Sequence, residues 1–191
     1  MSLIVSVYAG VKARALRPCG YEGSYASMII VKNYHTEFIS HMNAHYILAD
    51  EPLVCSFCGC EKIIKKGWRR RGSIDHHNKF KRLMVRRVKC KDCNKIHHVL
   101  PITIVPYKHY NAEAIEMIIC GQANETHCEE CEINRIKLWW IRMSLYILNK
   151  VDVITKKTKK VITAESKLDT ITRTLANAHL WPGTRVALDA A

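Results

Sequence analysis

The alternation of apolar and polar residues predicts a β-hairpin in the middle of the chain. In "FKRLMVRRVKC", Leu83 and Val85 fall on one side of an extended strand, and Arg82 and Arg86 fall on the other. The preceding "KIIKKGWRRRG" ends in glycine, and "SIDHHN" between the two runs has the composition of a turn. We therefore expect two strands within residues 54–100, with basic side chains pointing outwards.

Helical spacing replaces this alternation after Tyr110. Asn111 is a suitable N-cap for a first helix that ends near Gly121. Thr126 and Glu129 have the spacing of a capping box, which predicts the start of a second helix. Residues spaced three and four apart predict the buried face of that helix: Ile133, Ile136, Trp140, Met143 and Ile147. Two helices joined by a short polar turn are typical of a helix-turn-helix.

Three further segments have weaker patterns. Residues 1–27 show no sustained period, and we interpret them as an N-terminal extension that could be disordered. Residues 28–50 are predicted to form a short helical segment, with one side made of Phe38, Met42 and Tyr46. Residues 151–191 are predicted to be a weakly determined C-terminal tail, in which a helix starting near Thr163 is indicated by Leu168, Ile171 and Leu175.

The positive charge of the chain is concentrated in the predicted hairpin. The 191 residues include 30 Lys and Arg against 17 Asp and Glu, a net charge of +13. Segment 62–108 alone contains 15 basic residues and two acidic ones, Asp75 and Asp92. Such a focused excess favours a polyanionic partner, because the summed field attracts nucleic acid or an anionic membrane surface. Lysines that serve only solubility would be spread more evenly.

Membrane insertion is not expected from the sequence. The longest later apolar run, residues 138–148, is 11 residues long and contains Arg142, whereas a spanning helix needs about 20 apolar residues. The first residues do not resemble a secretory signal. We therefore expect a cytoplasmic, nucleoid-associated protein, in which cysteines more often hold metal than form disulfides.

Two pairs of cysteines flank the predicted hairpin. Cys55 and Cys58 precede it, and Cys90 and Cys93 end it, each pair with two residues between the cysteines. A tight turn of this length points both sulfurs at one ion, and two such knuckles complete a tetrahedron around zinc. The sequence therefore predicts one structural Zn²⁺ ion, since four thiolates leave no coordination position open for catalysis.

Other cysteines and histidines leave alternatives open. Cys60 could replace Cys58 as a ligand or pack as a buried thiol, and the pairs His76–His77 and His97–His98 are interpreted first as non-ligands. A third pair, Cys128 and Cys131, lies beside the predicted helix start. Packing between helices is the first interpretation of this pair, and a redox-active pair with a lowered thiol pKa is the alternative.

The predicted contacts to nucleic acid fall in two places. Phosphates would be contacted by the basic residues of the hairpin: Lys65, Lys66, Arg69, Arg70, Arg71, Lys81, Arg82, Arg86 and Arg87. Base edges would be read from the second helix by residues that its apolar face leaves outside: Asn134, Arg135 and Lys137. A solvated helix face is the alternative for the second set.

The runs "CSFCG", "KKGWRRRG" and "VRRVKCKDCNKIHHVLPITIVPYKHY", followed by "INRIKLWW", resemble an uncharacterised bacterial family with a zinc ribbon and a helix-turn-helix. That family is related to the N-terminal region of insertion-sequence transposases, and the resemblance covers about residues 28–150. It implies DNA binding at a mobile element, with the four hairpin cysteines as zinc ligands. The nuclease domain of transposases would not fit into the 41 residues after Lys150, so we expect no enzymatic activity from this chain.

The sequence thus predicts an α+β fold, with a zinc-ribbon hairpin over residues 51–108 and a helix-turn-helix-like region over residues 109–150. The expected function is zinc-dependent DNA binding by a transposase-like accessory, remnant or regulator. A ribbon protein that binds RNA or the ribosome is one alternative, since aromatic residues such as Trp68 and Phe80 could stack on bases. A protein-interaction adaptor that forms a homodimer through the apolar residues 138–148 is another.

Overall fold

The computed structural model describes residues 27–159, 162 and 166–182, and it has a mixed α+β fold. Six strands form one sheet: β1 (Ser27–Val31), β2 (Tyr34–Ile39), β3 (Ala44–Ala49), β4 (Ile63–Ile74), β5 (Phe80–Cys90) and β6 (Ile96–Pro101). The described ranges contain four α-helices: α1 (Ala112–Ile119), α2 (Glu130–Asn149), α3 (Val151–Thr158) and α4 (Leu168–Asn177). The extension predicted for residues 1–27 lies outside the described residues except for Ser27, the first residue of β1.

A long antiparallel hairpin formed by β4 and β5 occupies the centre of the sequence. Its register runs from the pair Ile63–Cys90 to the pair Ile74–Phe80. The turn at its tip is held by the Asp75 carboxylate, which accepts hydrogen bonds from the amides of His77 and Lys79 at 3.1 and 2.9 Å. Leu83 and Val85 on β5 are both buried, as their alternation with arginine predicts.

The helical segment predicted for residues 28–50 is wrong, because this stretch forms strands β1, β2 and β3. The apolar run Ser27–Val31 is buried along its whole length and pairs in parallel with β6. Parallel strands buried on both faces read as continuous apolar runs, so the alternation typical of an exposed strand is absent here. Between β2 and β3 lies one turn of 3₁₀ helix, Ser40–Met42, which ends at Asn43 in the left-handed conformation.

The order of strands in the sheet places β5 and β6 at its centre. The order is β1-β6-β5-β3-β2, and β4 also pairs with β5. β4 pairs with β5 along its whole length, whereas β3 and β6 pair with different parts of β5. β6 is antiparallel to β5 and parallel to β1, while β3 is parallel to β5. The predicted ribbon residues 51–108 therefore share one sheet with residues 27–49. Apolar clusters cover both faces of this sheet where β5, β6 and β1 meet.

Helices α1 and α2 form a second apolar core, whose buried residues include Ile115, Ile118, Trp140, Met143 and Ile147. The three-and-four spacing predicted for the buried face of α2 is confirmed for Ile136, Trp140, Met143 and Ile147, while Ile133 is partly buried. The Asn111 carboxamide accepts a hydrogen bond from the Ala114 amide at 2.8 Å, so the predicted cap of α1 is present. None of the helices in the described part of the chain is both long and apolar enough to cross a membrane.

The capping box predicted at Thr126 and Glu129 is wrong. Helix α2 begins at Glu130 with Glu129 as its N-cap, and the described structure shows no side-chain capping bond there. The Thr126 hydroxyl instead donates to the carbonyl of Ala123 at 2.7 Å, within the preceding 3₁₀ turn. The helix starts four residues after Thr126, so this hydroxyl lies too early in the chain to accept from the amides of the first turn.

The stretch predicted as a weakly determined tail contributes α4 to the core. The predicted residues Leu168, Ile171 and Leu175 are buried, although the helix begins at Leu168, and Thr163 lies outside the described residues. The Asn177 carboxamide accepts from the Ile30 amide at 2.7 Å and donates to the Ile30 carbonyl at 2.9 Å. These two bonds satisfy backbone groups on the free edge of β1, which protects that edge from pairing with another strand.

Candidate metal centre and cationic hairpin

The four cysteines predicted as ligands lie together at the base of the hairpin. Cys55 and Cys58 precede β4, and Cys90 is the last residue of β5, so the antiparallel register brings both pairs to one end. The four sulfurs all lie within 4.8 Å of one another. The Cys55 and Cys93 sulfurs are 3.6 Å apart, and so are the Cys58 and Cys90 sulfurs.

The two cysteine turns have equivalent backbones. The Cys55 amide donates to the carbonyl of Cys60, five residues on, at 2.9 Å. The Cys90 amide donates to the carbonyl of Lys95, also five residues on, at 3.0 Å. Each turn therefore closes over its pair of sulfurs in the same way, although the residues between the cysteines differ.

A left-handed residue follows the second cysteine of each turn. Gly59 has a φ angle of 76° and Asn94 a φ angle of 59°. Glycine adopts this conformation without strain and asparagine is the side chain that tolerates it best, so both sequence choices match the required backbone. A glycine or asparagine directly after the second cysteine is therefore a local signal for this turn, in addition to the spacing of the cysteines.

The geometry of the sulfurs fits a four-coordinate thiophilic metal. A tetrahedron of thiolates at about 2.3 Å from zinc has sulfur–sulfur edges of about 3.8 Å, close to the two observed separations of 3.6 Å. Cys55 and Cys90 are 2% and 0% exposed, while Cys58 is exposed. The donor set consists of sulfur alone, which favours zinc or another soft metal over magnesium or calcium.

The electrostatic surroundings of the cysteines differ within the cluster. The amides of Cys93 and Asp92 donate to the sulfur of Cys90, and the pKa of this thiol is lowered to about 6, with the Cys93 amide as the largest cause. Burial raises the pKa of the Cys55 thiol to about 12. A cation at the centre of the cluster would offset the cost of a buried Cys55 thiolate, because it supplies the missing opposite charge.

His97 lies directly behind the cluster and is 0% exposed. Its Nε2 is 3.2 Å from the Cys55 sulfur, and its Nδ1 is 3.4 Å from the Ser56 hydroxyl, which in turn lies 2.9 Å from the hydroxyl of Ser27. The pKa of His97 is lowered to about 4, first by burial and then by His179 and Lys95. A neutral ring with a proton on Nε2 would donate to the sulfur and orient it.

The other cysteines of the described chain lie outside this cluster. The Cys60 thiol has its pKa raised to about 11, first by a hydrogen bond with Asp92. Cys128 packs against the helical core, and the Cys131 thiol donates to the Glu129 carboxylate at 3.6 Å. Within the described ranges, Cys128 and Cys131 form no group of three potential ligands.

The register of the hairpin sorts its basic residues onto two faces, because directly opposed residues share a face. We call one the outer face, defined by Lys65, Trp68, Arg70, Arg82 and Arg86. We call the other the inner face, defined by Arg69, Arg71, Lys81, Leu83, Val85 and Arg87. Lys66 lies at a β-bulge between Lys65 and Gly67. Of the predicted phosphate contacts, the exposed ones are Lys65, Lys66, Arg69, Arg70 and Lys81.

Some of the predicted phosphate contacts also make contacts within the protein. The Arg86 guanidinium lies 3.6 Å from the centre of the Trp68 ring, and that ring meets Tyr46 edge-on at 4.7 Å. The Arg71 Nη2 donates to the carbonyls of Val105 and Lys108 at 2.8 and 2.9 Å. Arg71 therefore holds the loop that leads into α1. The sequence does not reveal this, since Arg69, Arg70 and Arg71 are consecutive and chemically identical.

The predicted base-reading residues are exposed on α2. Asn134, Arg135 and Lys137 lie on the solvent side of the helix, opposite the buried Ile136 and Trp140. Arg135 forms an ion pair with Glu132, one turn earlier on the same helix. The predicted metal ligands and phosphate contacts thus lie on one continuous unit, the cysteine cluster and the basic hairpin. The predicted base-reading residues lie on a separate, exposed surface of α2.

One family model matches this region. Its description is a domain of unknown function (DUF6431), and the match covers residues 55–137, from the first cysteine of the cluster into α2. The matched range includes the four clustered cysteines, the whole β4–β5 hairpin and α1. No curated protein and no solved structure matches the chain.

Proposed function

We propose that the protein is a DNA-binding protein whose basic hairpin is held by one structural zinc ion. The observation that supports this most directly is the continuity between the cysteine cluster and the hairpin. Cys90 ends the strand that carries Arg86 and Arg87, so a metal at the cluster would fix the base from which these cationic strands extend. Zinc would act structurally, since it binds four thiolates and has no open position.

The exposed basic residues of the hairpin would contact phosphates. Lys65, Lys66 and Arg70 are exposed and lie on or next to the outer face, within one strand. Phosphate contacts of this kind provide affinity and orientation without reading sequence. The affinity should therefore fall with added salt, by a slope of about 0.9 in log K per phosphate contacted.

Sequence reading would come from the helical part as a helix-turn-helix. Helices α1 and α2 are joined by residues 120–129, which include one 3₁₀ turn, and α2 exposes Asn134, Arg135 and Lys137. Asparagine and arginine can form paired hydrogen bonds with adenine and guanine edges in the major groove. Together with the resemblance to transposase N-terminal regions, this favours a role at a mobile element, as an accessory, a remnant or a regulator.

RNA is the second candidate ligand, and a specific feature favours it. Phe80 at the tip of the hairpin is 59% exposed, and an exposed aromatic ring can stack on an unpaired base. Trp68 is less suited to this role, because Arg86 and Tyr46 already contact its ring. Competition between duplex DNA and single-stranded RNA at one salt concentration would rank the two ligands.

A charge-reversal pair tests the proposal. Lys65→Glu with Lys66→Glu should weaken DNA binding by at least about tenfold and lower the salt slope by about two, because two phosphate contacts are lost. The matched control is Lys156→Glu with Lys157→Glu, an equally exposed lysine pair on α3. Binding would be measured by fluorescence anisotropy over a range of salt concentrations. Equal losses in both variants, or no binding by the parent protein, would contradict the proposal.

A further inference from the structure

A recess of about 340 Å³ opens on the inner face of the hairpin. Its floor is apolar and is formed by Met28, Val85 and Leu100, from three different strands. Its polar lining includes Arg69 and Arg71 from β4 and His98 from β6. The loop that Arg71 holds through its two carbonyl contacts forms the opposite wall.

The described lining of this recess contains arginine, lysine and histidine side chains and no acidic one. No carboxylate occurs among the described residues that line it. Arg87 lies directly opposite His98 in the register of β5 and β6, and so adds a third guanidinium to the same face. In the part of the chain that the structure describes, Arg69, Arg71 and Arg87 form no salt bridge.

Two of these guanidinium groups are also incompletely hydrogen-bonded. The Nε atoms of Arg71 and Arg87 are buried, and neither has a hydrogen-bond partner among the described residues. Buried charges in proteins are normally paired, because an unpaired one loses its hydration without compensation. Within the described part of the chain, these arginines therefore lack the carboxylate counterion that a purely structural cluster would contain.

Repulsion between these groups adds to the effect of burial on their pKa values. Burial, followed by the charge of Arg69, lowers the pKa of Arg71. Burial lowers the pKa of His98 to about 4, and Arg69, Arg87 and Arg71 are the next causes. A bound anion would reverse the charge contribution at each group, because opposite charge favours the protonated form.

We infer that this recess binds a phosphate group, which Arg69 and Arg71 would hold against the apolar floor. Planar guanidinium groups match the oxygens of a phosphate, and two of them on one strand give directional, charge-assisted hydrogen bonds. The apolar floor would contact a sugar or another carbon-containing part attached to the phosphate. The phosphate could belong to a small molecule or to a nucleic-acid strand, and only the second source rests on the proposed function.

Binding of pyrophosphate to the full chain tests the inference by isothermal titration calorimetry. The ionic strength is kept constant with chloride. Arg69→Gln removes one exposed guanidinium from the recess, and Lys156→Gln is the control, an exposed charge on α3 outside the lining. The parent protein and Lys156→Gln should bind alike, and Arg69→Gln should bind about tenfold more weakly, the loss of one charge-assisted hydrogen bond. No binding by the parent protein, or an equal loss in both variants, would overturn the inference.

The same variants distinguish the source of the phosphate. If Arg69→Gln weakens both pyrophosphate and DNA binding, and pyrophosphate competes with DNA, the recess takes a phosphate of the nucleic-acid strand. If only pyrophosphate binding is lost, the ligand is a small phosphate compound. Failure of the proposed function has a different signature, since pyrophosphate would then bind to a protein that does not bind DNA at all.

Discussion

The hairpin cysteine pairs and the third pair, Cys128 and Cys131, have the same spacing but different surroundings. In the hairpin, two turns face each other across an antiparallel register, and backbone amides donate to the sulfurs. Cys128 instead precedes α2 and packs against the helical core, while Cys131 lies in the first turn of α2 and is exposed.

The residue after the second cysteine shows the difference most clearly. Gly59 and Asn94 are left-handed, which turns the chain back over the sulfurs. Glu132, at the corresponding place after Cys131, is helical and carries a negative charge next to two further glutamates. The comparison teaches that a two-residue spacing is compatible with both a metal knuckle and a helix start, and that the next residue and a facing pair distinguish them.

Removal of the metal should have the largest effect, and this effect should fall on the sheet region that carries the hairpin cysteines. A structural zinc ion contributes about 10 kcal/mol to the folded form, so a strong chelator should abolish cooperative unfolding of the sheet region. Circular dichroism melts before chelation, after it and after zinc is added back would measure this. A melt that chelation leaves unchanged would show that the cluster does not depend on metal.

Single cysteine substitutions test whether the hairpin pairs bind metal and the third pair does not. Cys90→Ser should reduce bound zinc from one ion per chain to well below one and lower the midpoint of thermal unfolding, because one of four ligands is lost. Cys128→Ser is the control and should retain one zinc ion per chain. Metal analysis by mass spectrometry, with parallel melts, gives both quantities. Equal zinc loss in the two variants would remove the distinction between the pairs.

His97 supports the hairpin cluster through its contacts with the Cys55 sulfur and the Ser56 hydroxyl. His97→Ala removes the contact of Nε2 with the Cys55 sulfur and leaves Ser56 with one partner fewer. We expect zinc affinity to fall by about 10- to 100-fold, the usual effect of losing a group that orients a metal ligand. Competition with a zinc indicator would measure the affinity. His77→Ala, at an exposed site on the turn of the hairpin, should leave the affinity unchanged.

Substitutions at the two left-handed residues should have the smallest effects on stability, and only Gly59→Ala should be destabilising. Gly59→Ala should destabilise the fold by about 1 to 2 kcal/mol, the cost of a side chain in this conformation. No described atom would lie within 4 Å of the added Cβ, so the cost comes from the backbone alone. Asn94→Gly should be neutral or slightly stabilising for the same reason. Urea unfolding at fixed zinc concentration would compare them, and a destabilised Asn94→Gly would contradict this account.

Much of the local structure follows from the sequence. The alternation around Leu83 and Val85, the cap at Asn111 and the buried face of α2 all depend on residues close together in the chain. The four clustered cysteines were predictable in the same way, because each turn encodes its own geometry. Local signals of this kind depend on short-range sterics and hydrogen bonding, which the neighbouring residues determine.

Tertiary structure decided the features that depend on distant partners. The run Ser27–Val31 becomes a strand because β6, about 70 residues later, pairs with it, and Asn177 of α4 satisfies its free edge. Arg70 is exposed, whereas Arg71 next to it holds the loop before α1. Consecutive residues on a strand face opposite sides, and the sequence by itself does not show which side the rest of the chain covers.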